Sequence, residues 1–221
     1  NCPFGAIVDK GQIFQLIHAI KRGDKVIPII APAFWGQFGD KVTAGQLKTA
    51  MEMLGFCGIE EVAIGADLCA IEEAEEFLES VPEKQPFMGT SCCPAWSVMA
   101  KTEFPGFAPY ISMTMTPMVL TARLVKRRNP GCRIAFIGPC AAKKLEASRR
   151  SVRSEVDFVL TFEELRGMFE AKDIDLEKVE DSPSHYEASA PGVGFAAGGG
   201  VAKAVEDVIH RLHPEVEVKT I

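Results

Sequence analysis

Two cysteine–proline junctions hold the densest chemistry in the sequence: Thr90-Ser91-Cys92-Cys93-Pro94-Ala95-Trp96 and Gly138-Pro139-Cys140-Ala141-Ala142-Lys143-Lys144-Leu145-Glu146. Each follows a short apolar run, Phe87-Met88 or Ile134 to Ile137, and reads as a turn just past a strand end. A cysteine in such a place is held by rigid scaffold yet faces a crevice, which suits a soft thiolate ligand for iron. Cys93 and Cys140 lie far apart in sequence, so their spacing says nothing about metal, and two buried free thiols are the plain alternative. In an extended segment Cys92 points away from Cys93, and a thiol can give up and take back a proton. Glu73 and Glu76, three apart, share one helix face within an acidic run that is otherwise a solvated surface.

Together the two segments resemble the first two signature motifs of the catalytic domain of FeFe hydrogenases. Cys2-Pro3-Phe4-Gly5-Ala6-Ile7 is similar to the end of a ferredoxin-type run. Ala31-Pro32-Ala33, Gly65-Ala66-Asp67-Leu68, Pro117-Met118 and the stretch from Phe195 to Gly200 fall in the family's order. The resemblance implies a hydrogenase that interconverts protons, electrons and dihydrogen. Its cofactor would be a 4Fe–4S cluster linked to a two-iron subcluster with CO and cyanide ligands.

By the same resemblance Cys93 and Cys140 are ligands of the 4Fe–4S part, and Cys2 is the last ligand of an accessory 4Fe–4S cluster. Cys92 passes protons to the two-iron unit, along a relay running from solvent through Glu73, Ser112 and Glu76. Lys143 binds a cyanide, with Lys144 left as a solvated surface lysine and Glu146 orienting the lysine side or the cluster loop. Pro32, Met118, Pro139 and Phe195 surround the subcluster, and Phe195 shields it from water. Gly138 stands where methionine is common in the family, and Met118 where glutamine or methionine occurs. The implied partners are an electron carrier such as ferredoxin and cluster-maturation proteins, in the cytoplasm.

The family's third motif, with the last two cysteine ligands, is not in the sequence. The resemblance therefore implies a chain cut inside the enzyme at both ends. Residues 1–9 would end a ferredoxin-type segment, 10–116 form a first lobe, and 117–221 a second lobe incomplete at its C-terminus. Such a fragment alone is expected to be inactive, with an open crevice and exposed apolar surface.

The elements that must position these residues alternate short β-rich runs with amphipathic helices, an α/β pattern. The expectation is two lobes, each a mostly parallel sheet flanked by helices, with the site in the crevice between them. Helices are expected over Ile13 to Ile20, after a Thr43 cap, through Ile71, Ala74 and Leu78, from Pro117, after the capping box Thr161-Phe162-Glu163-Glu164, and over Gly198 to Leu212. Strands are expected at Lys25 to Ile30, Glu61 to Ile64, Phe87-Met88, Ile134 to Ile137, Phe158 to Leu160, and near Val216 and Val218. Pro28 is tolerable only where its strand has an edge or bulge.

The 221 residues, 47% hydrophobic, suffice for a large core. A net charge of −6 leaves no basic footprint for nucleic acid, and no apolar run approaches a bilayer span. Seven cysteines without a CxxC argue for reduced thiols, with Cys57 and Cys69 as buried packing residues and Cys132 at a turn. Gly192-Val193-Gly194-Phe195-Ala196-Ala197 fits a GxGxxA nucleotide fingerprint, but the polar stretch before it cannot supply the required strand. The weightier rival is a non-catalytic iron–sulfur-binding or sensory hydrogenase-like protein. Cys92 discriminates, since the hydrogenase-like scaffolds of cytosolic iron–sulfur assembly lose this thiol while keeping the ligand beside it.

Overall fold

The computed structural model describes residues 10–183 and 188–220, so Cys2 and the segment 1–9 lie outside the described residues. Four strands, β1 (Val26–Ile30), β2 (Glu60–Glu61), β3 (Arg133–Gly138) and β4 (Phe158–Thr161), form one parallel sheet in the order β2-β1-β3-β4. The α/β reading holds. The strands on either side of residue 117 interleave in this single sheet, with β1 paired to β3 from Val26↔Arg133 to Ile30↔Ile137. β1 is buried throughout and β3 is buried beyond Arg133, as strands covered on both faces must be. β2 reaches only Ile29 and Ile30 of β1, so Pro28 lies beyond its register.

Helices flank the sheet: α1 (Ile13–Lys21), α2 (Ala44–Met53), α3 (Val62–Ser80), α4 (Pro94–Glu103), α5 (Pro117–Arg128), α6 (Ala142–Ala147), α7 (Phe162–Glu170), α8 (Ala190–Gly194) and α9 (Gly200–Leu212). Thr43 and Thr161 both close capping boxes, with Gln46 and Glu164 as partners. One core cluster joins both sheet faces to α1, α2, α5 and α7, and a smaller one lies between α3 and α9.

Three expected strands differ from the structure. Only Glu60–Glu61 is extended before α3, so Val62, Ala63 and Ile64 are its first turn. Gly65 sits in that turn against α5, where a Cβ would come within 2.3 Å of Thr121 Oγ1 and 2.4 Å of the Pro117 carbonyl. This close helix packing outweighs the β propensity of Val62 and Ile64. Phe87 and Met88 form no strand, and the segment makes one isolated parallel bridge, Gly89↔Ile111. Val216 and Val218 pack on the smaller cluster with no strand partner among the described residues. Cys57, expected to be buried, is exposed, because it follows the αL turn at Gly55 and only Phe56 turns inward. No helix among the described residues is long and apolar enough to cross a membrane.

Candidate functional site

At the carboxyl ends of β1 and β3 the structure encloses a cavity of about 250 Å³. Open parallel sheets place ligands there, outside the strand ends. Pro32, Cys92, Cys93, Met118, Pro139, Cys140, Lys143 and Phe195 all border it. Thus eight of the predicted site residues, drawn from five separate stretches of sequence, meet in one place. Pro32 opens a single 3-10 turn after β1, Cys93 immediately precedes α4 with its side chain free of any capping bond, Pro117 and Met118 begin α5, and Pro139-Cys140 follows β3. The remaining wall is apolar, from Ala31, Ala66 and Phe136 among others.

The three thiols differ in setting. Cys93 is exposed, while Cys92 and Cys140 are half-buried. Burial pushes the Cys92 thiol up to about 11, the nearby Glu73 adds to the rise, and the Lys143 ammonium works against it. Cys92 is thus a protonated thiol at neutral pH. Among the described residues no group of three or more His, Cys, Asp or Glu could hold a metal ion.

Lys143 turns inward. Its ammonium donates to the Cys92 carbonyl at 2.9 Å and to Glu146 Oε2 at 2.8 Å. Glu146 is 2% exposed and accepts a second bond from Thr116 Oγ1 at 2.6 Å. Lys144, expected at the surface, is instead buried and paired with Glu164 at 2.9 Å, because α6 lies over the start of α7. The two lysines thus hold α6 to the Cys92 segment and to Glu164 of α7.

A polar chain leads away from Cys92. Glu73 is wholly buried, accepts from the Ser91 backbone N–H at 3.2 Å through Oε1, and has no hydrogen-bond partner at Oε2. Burial raises its carboxyl to about 7, a rise opposed by the hydrogen bond from Ser91 and reinforced by the charge of Glu76. The buried Ser112 hydroxyl donates to Glu76 Oε2 at 2.5 Å, and Glu76 also accepts from Thr114 Oγ1 at 3.1 Å. The structure brings the four predicted relay residues together but reverses the expected order of the carboxylates. Glu73 lies inside, with its charge acting on Cys92, and Glu76 is half-buried farther out. The cause is position along α3, whose first turns line the cavity, so the earlier glutamate is the nearer one.

Thr114 and Thr116 were not singled out in the sequence. The signal was present: Ser112, Thr114 and Thr116 alternate with Met113 and Met115, so an extended segment presents its hydroxyls on one side. The Ser91 bond uses a backbone N–H and leaves no side-chain trace. Gly192 belongs to α8, not to a loop after a strand, which removes the nucleotide fingerprint's context.

Residues 24–221 match the family model for the C-terminal domain of the iron-only hydrogenase large subunit. Iron hydrogenase 1 of Clostridium pasteurianum is 32% identical over 91% of this chain and 39% of its own length. A probable cytosolic Fe-S cluster assembly factor of Drosophila willistoni is 33% identical over 65% of this chain and 32% of its own. The solved structure of apo FeFe-hydrogenase HydA1 from Chlamydomonas reinhardtii shares the fold, with a TM-score of 0.78 at 23% identity, over 96% of this chain and 62% of that one. The chain thus spans about two fifths of the first of these relatives and about a third of the second.

Proposed function

The chain belongs to the family defined by the C-terminal domain of iron-only hydrogenases, and we propose that its cavity is part of a hydrogenase active site interconverting protons, electrons and dihydrogen. The observation that carries this reading is the convergence of Cys92, Cys93, Cys140 and Lys143 on one otherwise apolar cavity. The donor chemistry fits an iron–sulfur group of net negative charge: soft thiols for iron and one inward cation for anionic ligands. Cys93 and Cys140 supply two thiolates of a four-thiolate set, and Cys92 is the other cysteine that the described residues bring to this cavity. When bound, the 4Fe–4S and two-iron group supplies the redox chemistry and the site where protons and electrons meet.

The protein's own residues then have distinct tasks. Cys93 and Cys140 hold the 4Fe–4S part. Lys143, fixed by Glu146 and the Cys92 carbonyl, presents its ammonium at the cavity wall, where it would meet an anionic ligand. Pro32, Met118, Pro139 and Phe195 exclude water, which strengthens that charge interaction. Cys92 holds the proton nearest the cavity. Glu73, with a pKa of about 7, is poised to take up or release a proton at neutral pH, and Ser112, hydrogen-bonded to Glu76, is the next group on the way to the surface. An accessory 4Fe–4S cluster through Cys2, an electron carrier such as ferredoxin, cluster-maturation proteins and a cytoplasmic setting complete the proposal.

A second reading, a non-catalytic iron–sulfur protein, is favoured by the likeness to cluster-assembly factors. It gives no reason for a protonated thiol at Cys92 backed by buried Glu73 and Ser112 and half-buried Glu76, which is why the hydrogenase reading stands first. Co-expression of the full polypeptide with cluster-maturation proteins, followed by a hydrogen-evolution assay with a reduced artificial donor, separates the two. Turnover supports the enzyme. A normally iron-loaded protein without turnover supports the second reading.

A further inference from the structure

Phe136 and Gly138 lie two apart on β3 and so face the same side of the sheet. Gly138 is buried, and its φ is not in the left-handed region that favours glycine, so its backbone does not call for that residue. Space does. A Cβ at 138 would come within 2.6 Å of Phe136 Cε1, 2.7 Å of Cζ and 3.3 Å of Ala31 Cβ. The ring of Phe136 thus lies over the Gly138 backbone, in the volume a side chain at 138 would take. Ala31, at the end of β1, is the small neighbour that leaves room for it. Phe136 is only 3% exposed, yet it borders the cavity beside Pro139 and Cys140. A residue serving the core alone would not line that wall.

We propose that Phe136 sets the width of the cavity on its sheet side, filling the notch left by Ala31 and Gly138, and thereby limits the size of ligand that reaches Cys140. The specificity role rests on the reading of this cavity as the binding site. The ring contributes three things there: an apolar surface, a fixed edge held by β3, and no hydrogen-bonding group. A wall of that kind admits small apolar molecules and excludes water-carrying or bulky ones. The residue at 138 contributes no side chain to the wall, so on β3 the wall is shaped by Phe136.

The test uses the full chain and needs no metal. Phe136→Ala and Gly138→Met each lower the melting temperature, the first by leaving a cavity and the second by overpacking. In the double variant the methionine occupies the space the ring vacated, so the combined loss is smaller than the sum by about 5 °C or more. If the methionine variant fails to fold, the milder cycle of Phe136→Leu with Gly138→Ala reads the same coupling. Access is read separately, by peptide mass analysis of N-ethylmaleimide labelling at Cys140 with exposed Cys57 as internal reference. Phe136→Leu is expected to raise the Cys140 rate relative to Cys57. Additive melting shifts, or a Cys140 rate unchanged by Phe136→Leu, overturn the proposal. Failure of iron loading or turnover bears on the hydrogenase reading and leaves both of these readouts untouched.

Discussion

Replacing Glu73 by glutamine isolates the cost of burying one carboxyl. Glu73 is fully buried, Oε2 lacks a hydrogen-bond partner, and its pKa stands at about 7 against an ordinary 4.5. The folded state therefore holds the proton more tightly than the unfolded chain. Below pH 4.5 both states are protonated and there is no penalty. Between pH 4.5 and 7 the unfolded chain releases its proton first, so stability falls as pH rises. Above pH 7 the loss is complete, at roughly 3 kcal/mol for a shift of this size. Glutamine keeps the shape and the oxygen that accepts from Ser91 but cannot ionise. The variant should match the parent near pH 4.5 and become more stable by about 6–12 °C in melting temperature at pH 8. Circular-dichroism melts at half-unit steps from pH 4.5 to 8.5 are the assay. A difference between variant and parent that does not change with pH refutes the reasoning.

Cys93→Ala or Cys140→Ala in the complete, matured protein should prevent normal assembly of the active-site cluster, read by iron content and electron paramagnetic resonance. Cys92→Ala should leave iron content near normal while greatly lowering turnover, and full hydrogen evolution in that variant would remove Cys92 from the relay. Lys143→Met leaves the Glu146 carboxylate buried without its cation, and should cost about 3 kcal/mol in denaturant unfolding at pH 7. Gly65→Ala pushes a methyl into Thr121 and the Pro117 carbonyl, and should lower stability by about 2 kcal/mol or more while shifting α3 from α5.

The parts of the site carried by compact local motifs were legible in the sequence. Cys93-Pro94 and Pro139-Cys140 each mark a turn facing a crevice by residue type alone, and both border the cavity, although only the second follows a strand and the helices after both, α4 and α6, were not expected. Thr43 and Thr161 announced their helices through capping chemistry, which is local and needs no tertiary partner. What was not legible depended on long-range packing. Val62 and Ile64 have strand propensity, and only the contact of Gly65 with α5 makes them helical. Lys144 reads as a surface charge until Glu164 is brought across to it. The order of Glu73 and Glu76 follows from which end of α3 meets the cavity, a fact of the fold and not of their spacing. The single sheet, likewise, follows from β1 and β3 pairing across more than a hundred residues.

The central claim is that the cavity bordered by Cys92, Cys93, Cys140 and Lys143 holds a two-iron group joined to a 4Fe–4S cluster. Infrared spectroscopy of the matured, complete protein tests it most directly, since bound CO and cyanide absorb where polypeptide does not. The account predicts bands of both ligands, and a shift of the cyanide bands in Lys143→Met. Iron-loaded protein with no CO or cyanide bands would contradict it.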